Sequence, residues 1–213
     1  MTPWIDITRT LRPGMIHWPT DRGFQLNRVE SWSGPGTFNL SEIHTSAHVG
    51  THIDAPRHFT CDGDAIADLP LNRLCGPATV VDCPERRHIT AADLEAGRIP
   101  PGDRVLLKTT NSRLWDQPGF DENYVGLMPD AARWLVDRGT PLVGTDYLSV
   151  EPYDSPGQPV HQLLLGAGVV LIESLQLDGV TPGRYELIAL PLKIEDADGS
   201  PARVIVRPLE RPG

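Results

Sequence analysis

Apolar residues along this chain gather into short blocks. Residues 78–82, 104–109, 141–146 and 169–173 are dominated by Val, Leu, Ile and Ala and are bounded by Gly, Pro or Asp. A continuous apolar run of that length predicts a strand buried on both faces, as in a sheet covered by helices. Between the runs, Ala131, Ala132, Leu135 and Val136 recur at helical spacing, with Pro129 at the start and Gly139 beyond the end. That pattern predicts a helix over 129–138. Thr90 and Asp93 stand at capping-box spacing and open a second helix over 90–95. The tail returns to strand pattern at 186–190 and 203–206, with a turn predicted over 196–201. The first seventy residues carry Gly, Pro, Ser and Thr at close intervals around short β-branched stretches such as 4–7, which is strand and loop territory. The order predicts a mixed α/β domain with strands in excess of helices.

Composition sets limits on this picture. A chain of 213 residues suits one domain spanning 1–213. Its 20 Gly and 21 Pro are spread along the whole length, so turns are numerous and helices few. No apolar run approaches the roughly 18 residues of a membrane span. A net charge of −9 opposes phosphate backbones, only Lys108 and Lys193 are lysines, and no basic run exceeds Arg86-Arg87. A small-molecule ligand is therefore expected, with no nucleic acid and no membrane surface. Cys61, Cys75 and Cys83 are an odd number without metal-knuckle spacing, and they read as small core or loop residues. With no signal-peptide pattern at the start, they point to a cytoplasmic protein.

The candidate chemistry is concentrated. Four of the 7 histidines, His44, His48, His52 and His58, fall within positions 44–58. Gly50, Thr51, Ile53 and Pro56 argue against a helix there. In an extended chain His48, Gly50, His52 and Asp54 share one face, two imidazoles and a carboxylate around a residue without a side chain. Nitrogen with carboxylate oxygen suits zinc, manganese or iron. Glu173, ending an apolar run, either completes such a site or reaches water. His161 approaches it if a loop or helix doubles back. Pro56 separates His58 from Asp54 and leaves His58 free for proton transfer. Asp146, at a strand end, is either an acceptor that orients a ligand histidine or a plain turn carboxylate. Trp18, Phe24, Trp32 and Phe38 either pack in the core or wall a pocket for a flat substrate. His17 and His44 read as exposed or supporting residues, and His88 as a surface residue.

The segment from His48 to Phe59 resembles the H-x-G-[TA]-H-x-D-x-P-x-H signature of the cyclase family, whose best-known members are bacterial metal-dependent kynurenine formamidases. The resemblance extends over nearly the whole chain, including Trp18-Pro19, residues 144–152 and residues 183–193. It implies a swivelling β/β/α domain, commonly a homodimer. It also implies metal ligation by His48, His52, Asp54, His161 and Glu173 around one or two zinc ions, with His58 as the catalytic acid or base and Trp18 as an aromatic substrate contact. Thr51 stands where the formamidases tend to have Ala, and Pro159-Val160 replaces an Asp-Ala lead-in. The resemblance implies a metal-dependent hydrolase of a small amide such as N-formylkynurenine. The other readings are opening of a cyclic amide or lactone at the same centre, as in isatin hydrolases, and a noncatalytic metal-binding or ligand-binding domain.

Overall fold

The computed structural model describes residues 2–33, 36–83 and 88–209. Arg86-Arg87 lies outside these residues.

The strands are β1 (Ile5–Asp6), β2 (Gln25–Glu30), β3 (Leu40–His44), β4 (His52–Asp54), β5 (Cys75–Cys83), β6 (His88–Ile89), β7 (Arg104–Thr109), β8 (Gly126–Leu127), β9 (Leu142–Thr145), β10 (Val170–Glu173), β11 (Gly183–Pro191) and β12 (Gly199–Pro208). The helices are α1 (Leu71–Leu74), α2 (Ala91–Ala96), α3 (Pro129–Asp137) and α4 (Pro159–Gly166). The strand-rich α/β expectation holds. The main sheet runs β1-β12-β11-β5-β7-β9-β10-β4, and a further pairing of β4 with β12 closes it on itself. Strands β5, β7, β9 and β10 are mutually parallel. They are the four apolar blocks of the sequence. Strand β12 begins at Gly199, so the turn predicted over 196–201 is shorter than its spacing implied.

Alternation along these blocks separates two cores. Val80, Leu106, Leu142, Val170 and Ile172 pack inside the closed sheet with Ile53, Leu187 and Val206. Their neighbours Val81, Val105, Leu107, Val143 and Leu171 face outward and meet Leu94 of α2, Leu135 of α3 and Leu164 of α4. Both faces are dry, which is why the blocks lack polar interruptions. Helix α2 carries the reciprocal Thr90–Asp93 capping box that its spacing predicted. No disulfide joins the three cysteines, of which Cys83 is buried and Cys61 exposed. Among the described residues no helix is long and apolar enough to cross a membrane.

Candidate metal centre

Strand pairing builds the centre. In β4, Ile53 enters the inner core, so His52 and Asp54 on either side of it face outward. In β10, Ile172 points inward and Glu173 outward in the same way. The antiparallel register sets His52 directly opposite Glu173 and Asp54 opposite Leu171. Backbone pairing alone thus brings one imidazole between two carboxylates. His52 Nε2 lies 3.3 Å from Asp54 Oδ1 and 3.5 Å from Glu173 Oε2.

The ring is held from behind, since His52 Nδ1 donates to Gly50 O at 2.8 Å. Nε2 is then the atom turned toward the carboxylates, and it is buried without a hydrogen-bond partner. Burial would lower the basicity of His52, but Asp54 and Glu173 overcome it and raise its pKa to about 10. Asp54 is held well below the ordinary carboxylate range by His48 and His52, against its own burial. A proton on His52 occupies a position between carboxylates that a divalent cation would fit. The buried His52, Asp54 and Glu173 offer ligand atoms within 4.8 Å of one another, and nitrogen with carboxylate oxygen is a suitable donor set.

His48 reaches the same carboxylate from a different backbone. Residues 47–51 form a turn, with Gly50 at φ +68°, and only His52–Asp54 is strand. The extended face expected over 48–54 is therefore wrong for His48, because the glycine lets the chain reverse there. His48 still lands on Asp54, with Nδ1 2.7 Å from Oδ1. Its Nε2 lies 2.9 Å from Asp198 Oδ2, and its pKa rises to about 9 as Asp54 outweighs burial. Gly199 permits this approach: a Cβ there would lie 2.7 Å from His48 Cε1.

Pro56 opens a 3-10 turn, Pro56–His58, which brings His58 back toward the cluster and not away from it. The His58 ring stacks on His48 with centroids 4.1 Å apart, and its Nδ1 lies 3.3 Å from Asp198 Oδ2. Burial lowers the His58 pKa despite the carboxylates nearby. His48, Asp54 and His58 make a second group with ligand atoms within 4.8 Å, sharing Asp54 with the first.

His161 arrives on the first turn of α4, which doubles back before β10. Glu151 fixes it. That carboxylate accepts from Val160 N at 3.0 Å, His161 N at 3.2 Å, Ser155 Oγ at 2.7 Å and His161 Nδ1 at 2.8 Å. Anchored at the helix N-terminus, where a negative charge is favoured, it leaves His161 Nε2 directed at Glu173 Oε1, 3.5 Å away. The neighbouring carboxylates raise the His161 pKa to about 10 against its burial.

A cavity of about 230 Å³ opens over these residues, walled by Trp18, His48, His58, Phe59, His161 and Glu173, among others. Trp18 packs edge-on to Phe120 at 5.3 Å, and Phe59 stacks on His161 at 4.7 Å. Phe24 is a core residue instead, while Trp32 and Phe38 are exposed beyond the cavity.

The Cyclase family model matches residues 5–152. The chain belongs to the cyclase family. It is 41% identical over 211 residues to a kynurenine formamidase of Salinibacter ruber, covering 95% of this chain and 96% of that one. A structure described as a predicted metal-dependent hydrolase from Bacillus stearothermophilus superimposes with TM-score 0.84 at 35% identity, covering 97% of this chain and 98% of that one. Isatin hydrolase A from Labrenzia aggregata, bound to benzyl benzoate, does so with TM-score 0.84 at 28% identity, covering 98% and 94%.

Two residues that touch this family member's centre were not singled out in the sequence, Glu151 and Asp198. Asp146 was singled out, but it orients no ligand histidine. It accepts from Thr109 N, Thr109 Oγ1 and Ser112 Oγ and pins the turn after β7. Thr51 donates to Ser174 O and accepts from Arg9 N, so it ties loops together beside the site.

Proposed function

We propose that this cyclase-family protein hydrolyses an aryl formamide of the N-formylkynurenine type, releasing formate and the free amine, in a metal-dependent reaction. The observation that carries the reading is the buried, unpartnered His52 Nε2 facing Asp54 and Glu173. His48, His52, Asp54, His161 and Glu173 would hold one or two ions, zinc or manganese, and a divalent cation there would supply Lewis-acid chemistry by lowering the pKa of water and polarising a carbonyl oxygen.

The chain's own groups do the rest. His58 faces the cavity with Asp198 behind its Nδ1, which leaves Nε2 to take a proton from water and deliver it to the leaving nitrogen. Its lowered pKa suits the neutral, base form near neutral pH. Trp18 and Phe59 offer apolar walls to a flat aryl group. Glu151 holds His161 in one tautomer throughout. The chain acts as a single domain over 1–213, as a cytoplasmic homodimer.

A second reading has specific support in the likeness to isatin hydrolase A. The same centre would open a cyclic amide, with the ring nitrogen as the leaving atom. Assays with N-formylkynurenine, isatin and a small lactone separate the two. Turnover of the formamide is expected, and turnover of isatin or the lactone alone would overturn the formamidase reading.

A further inference from the structure

A second and larger cavity, about 570 Å³, lies apart from the metal centre, and none of the candidate ligands lines it. Its walls include Arg9, Arg12, Trp115, Asp116, Gln117 and Gln176. Two arginines and one aspartate stand in its lining, in a protein whose net charge is −9.

Arg9 is the unusual member. Its main chain is tied to Thr51 Oγ1 at 2.9 Å, and its guanidinium carbon sits 4.1 Å from the centroid of the Trp115 ring. Among the described residues the guanidinium makes no ion pair, and its Nε and Nη2 are buried without hydrogen-bond partners. Burial lowers its pKa to about 10 against the pull of Asp178, Asp146 and Asp116, so it stays a cation at neutral pH with its charge incompletely met. The ring face of Trp115 offsets part of that cost. Arg9 is only partly buried, and among the described residues no carboxylate is in contact with its guanidinium, so an external anion can complete its charge.

We propose that this cavity is a binding site for a small organic carboxylate, whose anionic end meets Arg9 and Arg12 while its apolar part lies along the wall formed by Trp115. A planar guanidinium matches the carboxylate fork, Gln117 and Gln176 offer further donors, and the volume lies in the range of small-molecule sites. The site is separate from the hydrolytic centre and needs no metal.

Isothermal titration of the full chain with sodium benzoate, metal-loaded and after chelation, tests this. The expected result is one benzoate per chain with equal affinity in both states, and no binding of the neutral isostere benzamide. Arg9→Gln should weaken binding at least tenfold. Arg12→Gln, at an exposed position, should weaken it about threefold and decides the matter if Arg9→Gln does not fold. Absence of binding, loss of binding on chelation, equal binding of benzamide, or unchanged affinity in the folded arginine variant would each overturn the proposal.

Discussion

Asp54 Oδ1 lies 2.7 Å from one imidazole and 3.3 Å from another, so removing that carboxylate strips both His48 and His52 of their shared partner. Asp54→Ala is expected to purify with most of its metal gone, as measured by elemental analysis on protein shown to be folded by circular dichroism. Full occupancy would remove Asp54 from the ligand set. His58 has a different expected signature. His58→Ala should retain metal and lose turnover by a hundredfold to ten-thousandfold, on the order expected for a general acid–base group, with the loss in kcat more than in KM. Equal loss of metal would make it a ligand, a role its place beside His48 and Asp54 also permits. Glu151 works through His161. Glu151→Gln leaves an acceptor for Nδ1 but removes the charge, and metal affinity should fall roughly tenfold to a hundredfold. Unchanged affinity in a metal titration would mean that the Glu151–His161 bond serves only the helix.

At the scale of elements, the contact between the start of β12 and the turn around His48 is where the centre has least room. In Gly199→Ala the new methyl would sit 2.7 Å from His48 Cε1 and 2.8 Å from Ile53 O, and only the imidazole can give way. Metal affinity should drop, and thermal stability with it because no rotamer change relieves the contact with the Ile53 carbonyl; a variant with wild-type affinity would show that His48 contributes little to binding. This crowding was not readable in the sequence, where Gly199 looked like part of an ordinary turn. The four apolar blocks were readable because each is dry on both faces, and the α2 cap because its two partners are three residues apart. Closure of the sheet through β4 and β12 was not, since strand pairing across 145 residues leaves no local mark. Spacing singled out His48, His52 and Asp54, although the extended face it assumed holds only from His52 to Asp54, while His161 and Glu173 rested chiefly on family pattern. Glu151 and Asp198 stayed hidden because each looks like a turn carboxylate until α4 brings His161 to Glu151 and the start of β12 sets Asp198 beside His48 and His58. Of the two readings left open for Asp146, the turn carboxylate is the one the structure bears out. A strand-end carboxylate does seek donors, and it found Thr109 and Ser112.

Across the whole molecule the centre concentrates charge that folding must bury, and pH should reveal it. In the metal-free protein His48, His52 and His161 have pKa values raised to about 9, 10 and 10, above the ordinary 6.5 of histidine. Groups raised on folding contribute stability that is complete below their unfolded pKa and is lost as pH climbs through the folded one. The Tm of metal-free protein should therefore fall between about pH 7 and pH 10, while metal-loaded protein, whose rings are already deprotonated, should hold its Tm over the same range. The gap between the two curves widens with pH because protons and metal compete for the same nitrogens. Parallel curves would mean that these rings are not protonated in the metal-free fold.

Hydrolysis by a metal bound to His48, His52, Asp54, His161 and Glu173 is tested most directly by formate release from N-formylkynurenine, using protein stripped of metal and then reloaded. Stripped protein should be inactive, and zinc or manganese should restore turnover in proportion to the metal bound. Undiminished hydrolysis by protein from which metal is verifiably absent would contradict that role of the metal.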